Sequence, residues 1–308
     1  MKRSILIFGI TGELGSRLAN LAIASGHKVY GVSRGSNTRP GADIAGAEIL
    51  TGDKFDRDFL ANTCAKLPVD VVVDTIPSIA GLNNIAEFFP QAKNVFIVSS
   101  TGTFVPLKQF PADESHEWRI ENHVNFHGKI ANDKHALELF EKQNFPITIF
   151  RPTNIVGDGR IPLDLYGGRD VNFFKALRNN ETLTLPDCRQ IMLQPVCNWD
   201  LAKAMCLALT TPQEIRGEII ILSTNCSIRL IDYLEIIKAH LNSTSQINWV
   251  DADEFQSAHP EHTGLKFLRE HMCFSIDKAR RLLGYEPDHS PEQGLKKSLK
   301  WCTDNRVF

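Results

Sequence analysis

The stretch Gly9-Ile-Thr-Gly12-Glu-Leu-Gly15 sets three glycines at the junction between a short apolar run and a segment of helical period. Glycine permits a tight turn and lets backbone approach a phosphate closely. The helix that begins there presents unpaired amides and the positive end of its dipole to an anion. That is phosphate chemistry, and the position between a strand and a helix gives the pattern its weight. Gly9, Thr11, Gly12, Glu13, Leu14 and Gly15 are therefore read as the cradle of a dinucleotide. The next apolar run, "KVYGVSRGS", ends in Ser33 and Arg34 where a cofactor without a 2′-phosphate would usually meet a carboxylate. A guanidinium and a hydroxyl suit a phosphate, and neither is the carboxylate acceptor a ribose diol needs, so NADP is expected rather than NAD.

These loops need a scaffold. "SILIFG", "KVYGVS", "VVVDTI", "NVFIVSS", "ITIFRPT" and "EIIILST" read as buried strands, alternating with helix-period segments such as "GELGSRLANLAIASGH". Repeated strand-helix-strand units imply an α/β fold, a Rossmann-type doubly wound parallel sheet with helices on both faces. The pattern holds to about Arg151. Beyond it, "GDGRIPLDLYGGRD" is loop-like, while "NFFKALRNN" and "WDLAKAMCLALTT" read as helices. The expected division is a dinucleotide-binding domain over 1–155, with returning segments at roughly 190–225, and a smaller C-terminal substrate lobe over 156–189 and 226–308.

Composition bounds the rest. A chain of 308 residues, 43% hydrophobic and 23% charged, has material for a large core, and a net charge of −2 offers no general field for a polyanion. A small-molecule partner is expected, not nucleic acid and not a membrane, with a homodimer left open. The seven cysteines are scattered without a Cys-x-x-Cys, which fits a reducing, cytoplasmic setting and suggests neither a disulfide framework nor a metal site. The N-terminal apolar run is too short to span a bilayer.

Taken in order, further motifs resemble the extended short-chain dehydrogenase/reductase family, the NAD(P)-dependent epimerases and dehydratases, over nearly the whole chain. "TGDKFD" puts Asp53 where the family's aspartate meets the adenine. "VVVDTIPS" puts Thr75, Ile76 and Pro77 where a loop lines the cofactor, and "VSSTGTF" puts Thr101 in the catalytic Ser/Thr position. "FRPTNIVGDG", with Pro152, Thr153 and Asn154, resembles the segment beside the nicotinamide. "VCNWDLAKAM", "FSIDKARRLLGYEP" and "EQGLKKSLKW" resemble the family's later signatures. The family sets its catalytic lysine a little over twenty residues before the arginine that here is Arg151, which selects Lys129. Asp133 then stands where the family usually has an acid, and Asn125 falls on the position of the catalytic tyrosine. Choosing Lys134 instead puts Ile130 there. Either register lacks the phenol.

The resemblance implies that the lysine and cofactor would lower that tyrosine's pKa for proton transfer; an asparagine can only hydrogen-bond. Imidazole as a group titrates near neutrality, but His127 lies about 200° around a helix from residue 125. Tyr166, Asp164, His116 and Glu114 lie in segments that could border the cleft. Gly102 and Thr103 replace the Asp-Glu pair of sugar-nucleotide 4,6-dehydratases, which demotes that subclass. The expected function is an epimerase- or reductase-type enzyme acting on a nucleotide sugar or other polar small molecule. Thr101 and Asn125 would orient the reacting oxygen, and Lys129 would hold the cofactor. The alternative is a catalytically lapsed NADP-binding regulator or RNA-associated protein, since tyrosine-less members resemble the branch that includes chloroplast stem-loop-binding proteins.

Overall fold

The computed structural model describes residues 2–36, 41–119, 127–210 and 213–308. Strands β1 (Ser4–Phe8), β2 (Lys28–Ser33), β3 (Glu48–Thr51), β4 (Val71–Asp74), β5 (Asn94–Val98) and β6 (Ile147–Pro152) lie in one sheet. Four short strands follow, β7 (Asn154–Val156), β8 (Leu183–Pro186), β9 (Met192–Leu193) and β10 (Pro195–Cys197). The sheet then gains its seventh member, β11 (Ile219–Leu222). The order is β11-β6-β5-β4-β1-β2-β3, with every neighbouring pair parallel. Successive side chains of a strand point to opposite faces. Accordingly Ile5 and Ile7 of β1 enter one core and Leu6 and Phe8 the other. Both faces are covered, which is why these strands read as unbroken apolar runs. The chain builds outward from β1 to β3 and then returns to β4 on the other side of β1. The resulting crevice at the carboxyl ends of β1 and β4 is where such sheets bind ligands.

One face is covered by α1 (Glu13–Ala24) and the other by α2 (Arg57–Asn62), α3 (Ile79–Phe88) and α4 (His127–Gln143), through Leu60, Leu82, Ile85, Ala136 and Leu139. After α5 (Val171–Arg178), α6 (Asn198–Ala208) returns beside α1, so that Leu18 and Ala22 share a core with Leu201 and Met205. A separate core of Phe173, Phe174, Tyr233, Leu234, Phe255 and Leu295 gathers α5 with α7 (Leu230–Leu241), α8 (Ala252–Ala258), α9 (Leu265–Leu268) and a C-terminal helix. Before that last helix, α10 (Asp277–Leu283) packs Ala279 and Leu283 into the core of β1, α1 and α6. The C-terminal α11 (Pro291–Asp304) starts at a capping box formed by Ser290 and Gln293, with Pro291 in its first turn. Strands β12 (Ile228–Arg229) and β13 (Ile247–Val250) pair with β9 and β8.

The six strands read from sequence are all present. β3 was not among them: it is an edge strand whose "EILT" is mostly exposed, so it lacks the apolar run that marks a buried neighbour. No described helix is long and apolar enough to cross a membrane.

Candidate cofactor and active site

The glycine loop is shaped by contacts that leave no room for side chains. Gly9 has φ +82°, and a Cβ there would stand 2.4 Å from Thr75 Oγ1. A Cβ on Gly15 would meet the Gly9 carbonyl at 2.3 Å and Ile10 Cα at 2.9 Å, so only glycine lets α1 lie this close to the turn. Gly12, the residue before α1, is less constrained by protein, its Cβ meeting only the Gly9 carbonyl at 3.1 Å. Its open side is the space a phosphate would use. No side chain caps α1, and the amides of Glu13, Leu14 and Gly15 meet no acceptor among the described residues. These free donors fit a pyrophosphate. The Glu13 carboxylate is held by Asn198 Nδ2 at 3.0 Å and Arg160 Nη1 at 3.2 Å, so its charge is already paired. Leu14 packs against the core beneath.

At the end of β2, Thr11 Oγ1 and Ser33 Oγ are 3.2 Å apart, joining the glycine loop to that strand, and Ser33 also accepts from the Gly35 amide. Arg34 is exposed, with no hydrogen bond or ion pair among the described residues. Asp53 Oδ1 accepts from the Phe55 amide and shapes the turn after β3. Beside it stands a pair that the motifs did not single out. Lys54 Nζ lies 2.8 and 3.0 Å from the carboxylate oxygens of buried Asp74 and also bonds the Ile76 carbonyl. An acid closing the apolar run "VVVD" was the available signal, because a buried carboxylate needs a cation nearby. Around this pair Phe55 and Ile76 are 51% and 71% exposed, which leaves flat apolar surface beside the crevice.

At the opposite half of the crevice, Thr75, Ile76, Pro77, Ser99, Lys129 and Asn132 border a cavity of about 90 Å³. Asn132 Nδ2 donates to the Pro77 carbonyl at 2.9 Å and ties α4 to the loop after β4. Among the described residues, Lys129 Nζ makes one long bond, 3.4 Å, to the Ser99 carbonyl. Burial lowers its pKa, with the nearby Asp133 charge opposing. One turn further along α4, Asp133 Oδ2 accepts from Ser99 Oγ at 2.7 Å and from Arg151 Nε and Nη2 at 3.0 and 2.8 Å. The guanidinium lies against the rings of Phe104 and Trp118, at 4.4 and 4.1 Å from their centroids. Desolvation pushes the Asp133 pKa up and the Arg151 pKa down, and each partner's charge opposes the shift in the other. Asp133 therefore ties α4, one turn beyond Lys129, to the end of β5 and to β6.

Thr101 is only 2% exposed and its hydroxyl donates to the Pro152 carbonyl at 3.3 Å. Thr153 Oγ1 lies 2.7 Å from Ser223 Oγ, and Asn154 Oδ1 is buried without a hydrogen-bond partner among the described residues. Gly157, with φ +122°, accommodates Asn198, which a Cβ would strike at 2.3 Å. Asn198 in turn bonds Glu13 and the Asp158 carbonyl, linking the loop after β7 to the start of α1. Asn125 lies outside the described residues, as does the side chain of His127.

The fold brings no tyrosine to Lys129. All four tyrosines are described and none lines its cavity. Tyr166, Tyr233 and Tyr285 donate to the carbonyls of Thr184, Leu163 and Ser223, while Tyr30 is buried on β2 beneath Lys28. Burial pushes the Tyr166 phenol up to about 12. The other titratable candidates have structural duties. Asp164 accepts from the amides of Tyr166, Gly168 and Asp170; His116 accepts from the Lys108 amide; Glu114 accepts from Ile221 on the sheet edge. A larger cavity of about 490 Å³ lies at the amino ends of β1 and β2, lined by Leu21, His27, Lys203 and Cys206, away from the glycine loop.

Residues 5–85, which span the glycine loop, Ser33, Asp53 and the loop after β4, match the sequence model of the NAD dependent epimerase/dehydratase family. The chain's likeness extends further as fold. An epimerase of Methanothermobacter thermautotrophicus superposes with a TM-score of 0.78 at 20% identity, covering 99% of this chain and 94% of that one. The UDP-glucose 4-epimerase of Thermotoga maritima, solved with UDP-glucose, gives 0.76 at 17% identity over 98% and 99%. The dTDP-glucose 4,6-dehydratase of Bacillus anthracis, solved with NAD, gives 0.77 at 16% identity over 99% and 98%. In sequence, the Arabidopsis thaliana protein named chloroplast stem-loop binding protein of 41 kDa b, chloroplastic, is 25% identical over 313 residues, 96% of this chain and 78% of that one. The fold shared with these structures carries, in this chain, a crevice whose lysine end is built around a buried ion pair.

Proposed function

We propose that this chain is an NADP-dependent enzyme of the epimerase or reductase type, acting on a nucleotide sugar or another polar small molecule, with Asn125 where the family's tyrosine stands. The observation that carries the reading is the Lys129 ammonium, held by one long bond beside the Thr75–Pro77 loop, in the same crevice as a glycine loop with three spare amides. Those amides would take the pyrophosphate, Ser33 and Arg34 the 2′-phosphate, and Asp53 the adenine. Lys129 would grip the nicotinamide ribose, with Pro152, Thr153 and Asn154 along the ring. When bound, the nicotinamide supplies a hydride donor or acceptor. Thr101 and Asn125 would position the reacting oxygen, the asparagine as a hydrogen-bond partner only. The smaller lobe, 156–189 and 226–308, would select the substrate. All seven cysteines are free, which supports a reducing, cytoplasmic setting.

The stem-loop-binding name of the Arabidopsis relative favours a second reading, a cofactor-binding RNA-associated protein without hydride chemistry. One experiment separates them. The protein is incubated with NADPH deuterated at C4 and a panel of UDP- and dTDP-sugars and their keto derivatives, and products are read by mass spectrometry. Deuterium appearing in a sugar supports the enzyme. Tight NADPH binding with no transfer to any member, together with nanomolar binding of stem-loop RNA, would sink it in favour of the second reading.

A further inference from the structure

Away from the crevice, one cluster among the described residues brings together side chains of types that can ligate a metal. The turn after α8 reads His259-Pro-Glu261-His262, and one ligand atom from each of the three titratable residues lies within 4.8 Å of the others. His259 Nδ1 stands 3.3 Å from Glu261 Oε1, and His262 Nε2 stands 3.9 Å from the same oxygen. Tetrahedral zinc with bonds of about 2.0–2.1 Å sets neighbouring ligand atoms about 3.3–3.4 Å apart. One pair already has that spacing, a second needs to close by about 0.5 Å, and the two imidazoles, whose ligand atoms lie within 4.8 Å of each other, must draw together as well.

Both imidazole rings rest on aromatic neighbours. His262 stacks on Tyr166 with centroids 4.7 Å apart and an interplanar angle of 18°, and His259 packs on Phe255 at 4.5 Å. The backbone closes the turn, His262 N donating to the His259 carbonyl and Leu265 N to the His262 carbonyl. Ligands fixed before binding lose little conformational freedom when the ion arrives. As a plain ion pair the cluster has little to offer: the groups are largely solvent-exposed, where such pairs contribute little, and 3.9 Å is too long for a hydrogen bond.

We propose that His259, Glu261 and His262 bind one divalent transition-metal ion of the zinc class, with water completing the shell. Two imidazoles and a carboxylate suit zinc, cobalt or nickel, whereas magnesium and calcium prefer all-oxygen sets. The ion acts as a clip. It ties the end of α8 to the turn before α9, and the adjoining backbone of Gly264 lies against that of Gly167, in the loop that leaves the crevice. Cysteine spacing alone had pointed to no metal site; the signal lay in the histidines.

The test uses untagged, metal-stripped full-length protein, titrated with zinc chloride by calorimetry and with cobalt(II) by visible absorption. The expected result is one equivalent bound by the wild type and by the control His135→Ala, with a cobalt spectrum free of thiolate charge transfer. His259→Ala/His262→Ala should weaken binding at least about 100-fold, since loss of a mere outer-shell partner costs about 10–100-fold. The milder Glu261→Gln should weaken it without disturbing the fold by circular dichroism. No stoichiometric binding, unchanged affinity in the double variant, or a thiolate signature in the cobalt spectrum would each overturn the site.

Discussion

Asp133 Oδ2 receives both Nε and Nη2 of Arg151, at 3.0 and 2.8 Å, and both side chains are fully sealed from water. Arg151 Nη1 and Asp133 Oδ1 find no hydrogen-bond partner there, so the pair is held at some desolvation cost. Removing one member would strand the other charge. Asp133→Ala is expected to destabilise the protein by about 3–5 kcal/mol, measured by urea unfolding. A loss under about 1 kcal/mol would mean that the pair does not anchor α4.

Lys129 carries a stability signature of its own. Burial holds its folded pKa below that of the unfolded chain, so the folded state binds the proton more weakly. The resulting penalty is full below the folded pKa and disappears above the unfolded value of about 10.4. Lys129→Met should therefore be more stable than wild type at neutral pH, and its advantage should shrink as pH rises toward 10. Paired thermal melts across that range provide the check; a gap that is constant or widens with pH refutes the burial argument.

The two inner glycines should fail differently. At Gly15 a Cβ strikes backbone at 2.3 Å, so Gly15→Ala should lower stability outright. Gly12→Val meets protein only at 3.1 Å and should leave a folded chain by circular dichroism while abolishing dinucleotide binding, its bulk lying where the pyrophosphate should sit. Full cofactor affinity in a folded Gly12→Val protein would reduce the loop to a turn.

Arg34 stands exposed at the end of β2, and Ser33 is oriented beside it through Thr11. Fluorescence titration should find NADPH bound more tightly than NADH. Arg34→Ala should erase about 1.5–3 kcal/mol of that difference, the worth of a charge-assisted bond. Equal affinities in the wild type would remove the assignment.

If Asn125 only orients substrate, Asn125→Ala should slow turnover by the worth of one hydrogen bond, whereas loss of a true proton-transfer group costs about 10²–10⁴-fold. Lys129→Ala should be worse through weakened cofactor binding, visible in the same titration. A gain of ketone reduction in Asn125→Tyr, absent from wild type, would show that the lysine end is still poised for family chemistry and that the native protein has left it.

Periodicity and turn chemistry act along the chain, which is why β1, the glycine loop, α1 and every other strand of the parallel sheet except the exposed edge strand β3 could be read in order from residues 4 to 222 by themselves. The run Ile5–Phe8 is apolar at every position because both faces of the sheet are covered, and that pattern survives in one dimension. The placement of charges does not. Glu13 in the glycine loop looks unfavourable for an anion until Asn198, 185 positions later, takes its carboxylate. Likewise, nothing in the spacing of Lys54 and Asp74, or of Asp133 and Arg151, says that they meet across neighbouring elements. Four tyrosines in the sequence left open whether one would swing in beside Lys129; packing decided that three of them donate to carbonyls elsewhere and the fourth is buried on β2. Electrostatic pairing depends on distance in space and on exclusion of water, and both are properties of the packed chain.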